Sequence, residues 1–480
     1  MSESFSLPQE IAFVAVVCLA QLYTQIGLWQ ALVITHTLGD SLKINNPGTL
    51  SWLIAGYSLT VGTFILFAGR LGDLFGHKRL LLIGFLWLAL WSLVAGLSVY
   101  SNYVLFIFAR VLQGIGSALM MPNGIAVLGV AYQPGKRKNL AFAAFAACAP
   151  IGGALGAVFS ALLALAWWPW SFYVFAIALV ATAILGYFVI PDPLLAGNAR
   201  KLSLRATITE LDLPGATVGI ASLVLINFAF NQAPIVGWSE PYVYVTLIIG
   251  VLLVPLFFYI ELRLSPAPLI PFAVVKAEVA FVLAATACGW AAFGGWVFYL
   301  VQFWQVLRGV SPLLTGAMIS PVIVSGSLAA LVTGLLLHRI GPSWIMMIAM
   351  VCFTLGNVLI AIAPVDQTYW GLTFVATLVA PFGMDMSFPA ATVILSNAVG
   401  KKHQGIAGSL VATVVNYSIS LGLGFAGTAE VHVNNGGKTP EDLLKGYRGA
   451  EYVGIGLAAL GLCISIIFLL KERQGSKKVS

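Results

Sequence analysis

The stretch GRLGDLFGHKR, Gly69–Arg79, joins two long apolar runs and recurs in diverged form further along the chain. The second copy, GLLLHRIGPSW, begins at Gly334 and also lies between two apolar runs. Gly, Leu, a polar residue and Gly hold the same relative positions in both copies, with Asp73 in the first and His338 in the second. A loop that occurs once in each half indicates a duplicated bundle of helices.

The composition around these loops is that of an integral membrane protein. Hydrophobic residues make up 60% of the 480-residue chain and charged residues only 9%, with a mean hydropathy of +0.97. Soluble proteins carry about a quarter charged residues. Because lipid offers no hydrogen-bond partners to the backbone, spanning segments of this kind must be helical, and the fold class is all-α. The sequence predicts fourteen spans, at 11–34, 49–70, 80–99, 103–130, 141–165, 170–190, 214–232, 242–260, 279–303, 313–337, 343–363, 370–396, 405–428 and 450–470.

The position of the repeated loop predicts the domain organisation. Each copy joins the second and third spans of a six-span group, so two six-helix bundles flank two extra helices. We expect an N-terminal bundle at 1–200, a linker with two spans at 201–275, and a C-terminal bundle with a tail at 276–480. The charged, proline-containing segment 191–212 fits the start of that linker.

The distribution of basic residues predicts the orientation. Placing the N-terminus inside puts most of the 24 lysines and arginines in cytoplasmic loops, so both termini are expected in the cytoplasm. These residues are scattered over short loops, which explains the net charge of +7 without a nucleic-acid partner. We expect a multi-pass protein, monomeric in the bilayer, in the cell membrane or alternatively the vacuolar membrane.

No catalytic or metal-binding motif interrupts the apolar pattern. The five cysteines and five histidines are scattered, and no nucleophile elbow, phosphate loop or metalloprotease motif is present. The sequence therefore predicts neither an enzyme nor a resident metal or cofactor.

Three motifs resemble the major facilitator superfamily. Gly69, Leu71, Asp73, Gly76 and Lys78 match its signature loop, RVLQGIGSA from residue 110 is similar to its second motif, and APIGGALG from residue 149 to its antiporter motif. Fourteen spans point to the drug:proton antiporter branch, and the stretch from residue 383 is similar to fungal aminotriazole-resistance, boron-export and ammonium transport proteins. The resemblance implies a secondary transporter that works by alternating access, driven by a proton gradient. It favours efflux of a small organic compound, with transport of ammonium or borate as the alternative.

The signature loop is the predicted gate. By resemblance, Gly69, Asp73, Gly76, Lys78 and Arg79 hold the bundles together in one conformation. We expect Asp73 to cap the third span and the two basic residues to meet lipid headgroups. The alternative is a charged loop that only obeys the topology rule. The family often has arginines where this chain has Leu74 and His77.

The predicted proton-coupling and cavity residues are Arg110, Gln113 and Asp385. An arginine two turns into a span is costly to insert and is therefore expected to face the bundle with a polar partner. Gln113 lies on the same helical face. Asp385 stands between two prolines in a span and either binds a proton or cation or only packs between helices. The first span has no acidic residue where the branch often carries one, and has Gln30 and His36 instead.

The fifth span contains the predicted hinge. Pro150, Gly153 and Gly156 give a helix that can bend and approach its neighbours closely, and the alternative is an ordinary small-residue packing face. The polar, glycine-rich stretch 431–449 is expected to be a mobile external loop.

Overall fold

The computed structural model describes residues 6–44, 46–133, 135–191, 203–270, 277–399 and 404–477. Within these ranges every element longer than a turn is helical, which confirms the all-α prediction. The helices are α1 (Leu7–Leu32), α2 (Thr35–Ser41), α3 (Trp52–Phe75), α4 (His77–Leu97), α5 (Tyr103–Ala131), α6 (Lys136–Ala164), α7 (Pro169–Val189), α8 (Leu204–Glu210), α9 (Leu213–Val236), α10 (Pro241–Tyr259), α11 (Ala277–Gln302), α12 (Pro312–Ile319), α13 (Val322–Ile340), α14 (Pro342–Ala361), α15 (Leu372–Val399), α16 (Gln404–Val433) and α17 (Pro440–Lys477).

Fourteen helical segments of the described chain are long and apolar enough to cross a membrane, as predicted. Helices α12 and α13 together form one of them, Pro312–Leu337. Several segments run past the predicted ends: the second continues from Gly48 to Phe75, and the last begins at Pro440. Hydropathy marks only the part of a helix that lies in hydrocarbon, whereas the backbone hydrogen bonds continue into the polar flanks.

The chain divides into two compact units. Unit 1 comprises Met1–Ile226 and Val245–Ile270, and unit 2 comprises Asn227–Tyr244 and Pro271–Ser480. Two of the three dividing points fall inside α9 and α10, and the third follows Ile270. The predicted domain boundaries, after residues 200 and 275, lie outside the described residues and stay predictions.

The two copies of the repeated loop contain the same helix-to-helix reversal. Gly76 ends α3 and precedes α4 with φ 97°, and Gly341 ends α13 and precedes α14 with φ 84°. At such φ values a side chain is strained, which explains why both copies keep a glycine there. The sequence repeat is therefore also a structural repeat, one copy in each unit.

The prediction of a mobile loop at 431–449 was wrong for most of that stretch. Helix α16 extends through Val433 and α17 begins at Pro440. The carboxylate of Asp442 accepts hydrogen bonds from the backbone N–H of Asn435 (2.8 and 2.9 Å) and of Gly437 (2.8 Å). The Asp442 N–H in turn donates to the Thr439 hydroxyl at 3.2 Å. These hydrogen bonds order the turn between α16 and α17, for which the polar, glycine-rich composition predicted an irregular loop.

Asp442→Ala should loosen this turn. Losing the carboxylate leaves the two backbone donors to water, at a cost of about 1–2 kcal/mol. Amide hydrogen exchange at Asn435 and Gly437 should therefore accelerate about tenfold, since 1.4 kcal/mol is a factor of ten. Glu441→Ala, the exposed neighbour, is the matched control and should leave the exchange rates unchanged. Equal rates in both variants would contradict the capping role.

Gly76→Ala should destabilise the protein through its backbone. A non-glycine residue in this strained region costs about 1–3 kcal/mol. We expect a lower thermal unfolding midpoint in detergent micelles. The matched control is Gly334→Ala, since an added Cβ there meets no atom within 4 Å and the residue lies inside α13. Its midpoint should equal or exceed that of the wild type; a Gly76→Ala midpoint equal to the wild type would refute the backbone argument.

Candidate functional site

Arg110 is the centre of a buried polar network in unit 1. It lies on α5 and its side chain is fully buried. The Arg110 Nε donates to the Leu53 carbonyl of α3 at 2.8 Å, and its Nη1 donates to the Gln113 Oε1 at 2.7 Å. The guanidinium also lies over the Tyr57 ring, 4.8 Å from the ring centroid. The predicted bundle-facing position and the predicted pairing of Arg110 with Gln113 are both seen.

The network continues from Arg110 to three neighbouring helices. The Gln113 Nε2 donates to the Ser92 hydroxyl of α4 at 2.8 Å. The Tyr57 hydroxyl donates to the Thr24 carbonyl of α1 at 2.7 Å and is 2.5 Å from the Ser117 hydroxyl. Helix α5 can approach α3 this closely because residue 114 is a glycine. A Cβ at that position would collide with the Tyr57 carbonyl. One arginine therefore ties α1, α3, α4 and α5 together.

The positive charge of Arg110 has no acidic partner in the described part of the chain. Among the described residues, no carboxylate lies within ion-pair distance of it, and its Nη2 makes no hydrogen bond. A carbonyl, an amide oxygen and a ring face offset part of its charge. The site can therefore accept a negatively charged group without first breaking an ion pair.

Gln30 of α1 is a second polar side chain of unit 1 that lacks hydrogen-bond partners among the described residues. Its side chain is 1% exposed, and neither its Oε1 nor its Nε2 has a hydrogen-bond partner among the described residues. Buried amides are normally paired, so an unpaired one needs an explanation. It stands in the span where the family often carries an acid.

The signature loop is hydrogen-bonded to Asn123, a residue that was not among the predicted site residues. The His77 Nδ1 is 2.7 Å from the Asn123 Oδ1 on α5, and the Asn123 Nδ2 donates to the Leu119 carbonyl at 2.7 Å. The His77 Nε2 lies 3.4 Å from the Asp73 Oδ1. Since the asparagine amide already donates, its oxygen accepts from His77. A polar asparagine thirteen residues after Arg110, in an otherwise apolar run, was the available signal.

Two expectations for this loop were wrong. Asp73 does not cap α4, because the N-cap is Gly76 and has no side-chain hydrogen bond, and the Asp73 carboxylate faces His77 instead. Lys78 is not available to lipid headgroups, because it is 6% exposed and its Nζ lies 5.2 Å from the Tyr187 ring centroid. Long basic side chains bury their stems along apolar surface, which loop charge alone does not reveal. Arg79 is exposed, and Gly69 lies within α3.

Arg70 adds a further contact that was not predicted. Its guanidinium donates to the carbonyl oxygens of Pro268, of Ala267 at 3.5 Å and of Glu210 at 3.4 Å, all in unit 1. The signature loop is thus hydrogen-bonded to the segments before α9 and after α10.

The predicted hinge residues form a close packing face. Pro150 lies inside α6, which continues through it without a break. A Cβ at Gly156 would come 2.9 Å from the Ile26 Cα, and one at Gly153 would come 2.9 Å from the Trp29 Nε1, both in α1. The small residues therefore let α6 lie directly on α1. A hinge role stays a prediction.

Asp385 lies in unit 2, on α15 between Pro381 and Pro389. It is half-buried and has no hydrogen-bond partner among the described residues. The structure thus brings Arg110 and Gln113 together in unit 1 and places Asp385 in the other unit. Its role in a cavity stays a prediction.

Fourteen spanning helices, a loop repeated once in each unit and a buried polar network define a polytopic membrane transporter. The chain matches the Major Facilitator Superfamily over residues 11–423 and 324–479. It belongs to that superfamily, as its motifs predicted, and the superfamily's members are transporters, not enzymes.

Similar proteins are found among fungal transporters. The chain is 52% identical to a low affinity ammonium transporter of Saccharomyces cerevisiae, covering 98% of this chain and 91% of that protein. It is 47% identical to efflux pump terJ of Aspergillus terreus, covering 98% and 90%. A solved POT family transporter in complex with a thioalcohol conjugated peptide has a TM-score of 0.70 at 16% identity, covering 96% of each chain. That last likeness supports the fold alone.

Gln113→Leu should destabilise the protein and Gln30→Leu should not. Both glutamines are buried, but only Gln113 accepts from Arg110 and donates to Ser92. Losing a hydrogen bond to a charged group costs about 1.5–3 kcal/mol, whereas replacing an unpaired buried amide by an apolar group is neutral or stabilising. Thermal unfolding midpoints in detergent measure the difference. The argument fails if the two variants unfold at the same temperature.

Proposed function

We propose that this protein is a proton-coupled exporter of a small organic compound, such as a toxin or secondary metabolite, that works by alternating access. It acts as a monomer in the cell membrane, with both termini in the cytoplasm. The proton gradient supplies the energy, and no cofactor takes part.

The observation that carries this proposal is the buried positive charge of Arg110, which no carboxylate among the described residues balances. Its Nη2 is unpartnered, and the described residues offer it no carboxylate. A fixed positive charge in a medium of low dielectric constant strongly favours the ionised form of any acid brought beside it. Approach of an acidic group in one conformation would therefore release a proton, and its withdrawal in the other would favour uptake. Such an alternation couples proton movement to a conformational change.

Two further features support export. The small-residue face of α6 packs on α1, and its sequence is similar to the antiporter motif of exporters. The relative from Aspergillus terreus, 47% identical over nearly the whole chain, is described as an efflux pump. A common ancestry over that length favours a common mode of transport.

A second candidate is transport of a small cation such as ammonium. The observation in its favour is the 52% identity to a low affinity ammonium transporter of Saccharomyces cerevisiae. Ammonium transport would place the substrate near carbonyl and amide oxygens, which Gln30 offers, without a requirement for a proton gradient.

Reconstituted vesicles separate the two candidates. Purified protein in liposomes with a lumenal pH dye is challenged with aminotriazole, other xenobiotics, borate and methylammonium. Export by antiport predicts a compound whose transport moves protons in the opposite direction, and Arg110→Ala should abolish both fluxes. Arg205→Ala, an exposed arginine on α8, is the matched control and should transport normally.

Two results would count against proton-coupled export. Saturable methylammonium uptake without a pH gradient would favour the second candidate. Transport that is indifferent both to the gradient and to Arg110→Ala would refute the coupling mechanism altogether.

A further inference from the structure

Unit 2 contains two acidic residues inside spanning helices that the sequence reasoning did not single out. Glu430 lies near the end of α16, and Glu451 lies eleven residues into α17. Glu451 is 2% exposed, and neither of its carboxylate oxygens has a hydrogen-bond partner among the described residues. A buried carboxylate left without any donor is unusual and needs an explanation.

The surroundings of Glu451 collect further polar groups. The Tyr299 hydroxyl of α11 donates to the Glu430 Oε2 at 2.7 Å, and the Glu451 carboxylate lies within electrostatic range of the same hydroxyl. The Tyr447 ring packs at a tilt of 58° against Tyr299, with ring centroids 5.6 Å apart. The buried Tyr299 hydroxyl is therefore hydrogen-bonded to one carboxylate, Glu430, and lies within electrostatic range of a second, Glu451.

Asn357 supplies a second unpartnered group, from α14. It is 1% exposed, its Nδ2 donates to the Phe353 carbonyl at 2.8 Å, and its Oδ1 accepts nothing among the described residues. That oxygen faces Gly454, where an added Cβ would meet it. Gly454 is one helical turn beyond Glu451, so the two lie on the same face of α17. The polar groups described around Glu451 thus offer several hydrogen-bond acceptors but few hydrogen-bond donors.

The charged groups near this face do not neutralise Glu451. Arg448 precedes it by one turn on α17, yet its Nε is unpartnered and no ion pair joins the two among the described residues. His432 of α16 is exposed and its Nδ1 lies 2.7 Å from the carbonyl of Thr428 on its own helix. The described His, Cys, Asp and Glu residues form no group suited to a metal ion.

We propose that Glu451 is the proton-binding site of unit 2, with Glu430 hydrogen-bonded to the neighbouring Tyr299 hydroxyl. An ionised carboxylate that is buried without donors is costly because nothing replaces its hydration, whereas the protonated acid carries no charge. Binding one proton turns Glu451 into a neutral acid that can donate its O–H to an unpaired acceptor in this cluster. In the conformation described here the Glu451 carboxyl carries the proton, and it releases this proton when water reaches it. The transport role of this proton rests on the proposed function.

Glu451→Gln is the central test, because glutamine has the shape of the protonated acid but cannot ionise. The first readout is the infrared carbonyl band of a protonated carboxylic acid, in the purified protein at neutral pH. Part of this band should disappear in Glu451→Gln. It should persist in Glu441→Gln, an exposed glutamate of the same helix. A band unchanged by Glu451→Gln overturns the proposal whatever the transport result.

The second readout is transport by the full-length protein in vesicles. Glu451→Gln should keep downhill exchange of substrate but lose the acceleration by a pH gradient, and Glu430→Gln should weaken it. If Glu451→Gln responds to the gradient as the wild type does, the proton it binds does not drive transport, and the inference fails. If the wild type itself ignores the gradient while the infrared band still disappears in Glu451→Gln, the proposed function fails and the proton site stands.

Discussion

Lipid offers no hydrogen-bond partner to a polar group inside the apolar helices of this protein, so most partners must come from the chain itself. This constraint explains why Arg110 sits where it does. Its guanidinium donates to a backbone carbonyl of α3 and to an amide oxygen of its own helix, and it lies over an aromatic ring. The same demand draws Ser92 of α4 and Tyr57 of α3 towards α5, so the packing of four helices follows from one buried charge.

The two units satisfy this constraint to different degrees. In unit 1 Arg110 makes two side-chain hydrogen bonds and leaves its Nη2 unpartnered, while in unit 2 Glu451 has no donor among the described residues. A paired group stabilises one arrangement of helices, and an unpaired ionisable group has a reason to change its protonation state. A transporter that alternates between conformations needs both kinds, because a network satisfied in every state would not respond to a proton.

The general architecture was predictable because it depends on local patterns. Apolar runs of sufficient length specify spanning helices, and glycines at matching positions of two loops specify the repeated reversal at Gly76 and Gly341. Pairing of Arg110 with Gln113 was also predictable, since three residues along a helix is one turn. The errors concern the partners of two polar side chains, one partner four residues away and one distant in the chain. Asp73 faces His77 and not the helix end, and Lys78 packs on Tyr187, more than a hundred residues away.

The sequence by itself determined an all-helical, fourteen-span membrane protein with a duplicated loop and a bundle-facing arginine. Hydropathy, helical period and glycine geometry act over a few residues and need no knowledge of neighbours. Only the tertiary structure decided which polar groups are satisfied. Asn123 becomes the partner of His77, and Glu451 becomes an acid without a partner, because packing brings together residues far apart in sequence. Desolvation depends on all the surrounding helices at once, and no local pattern carries that information.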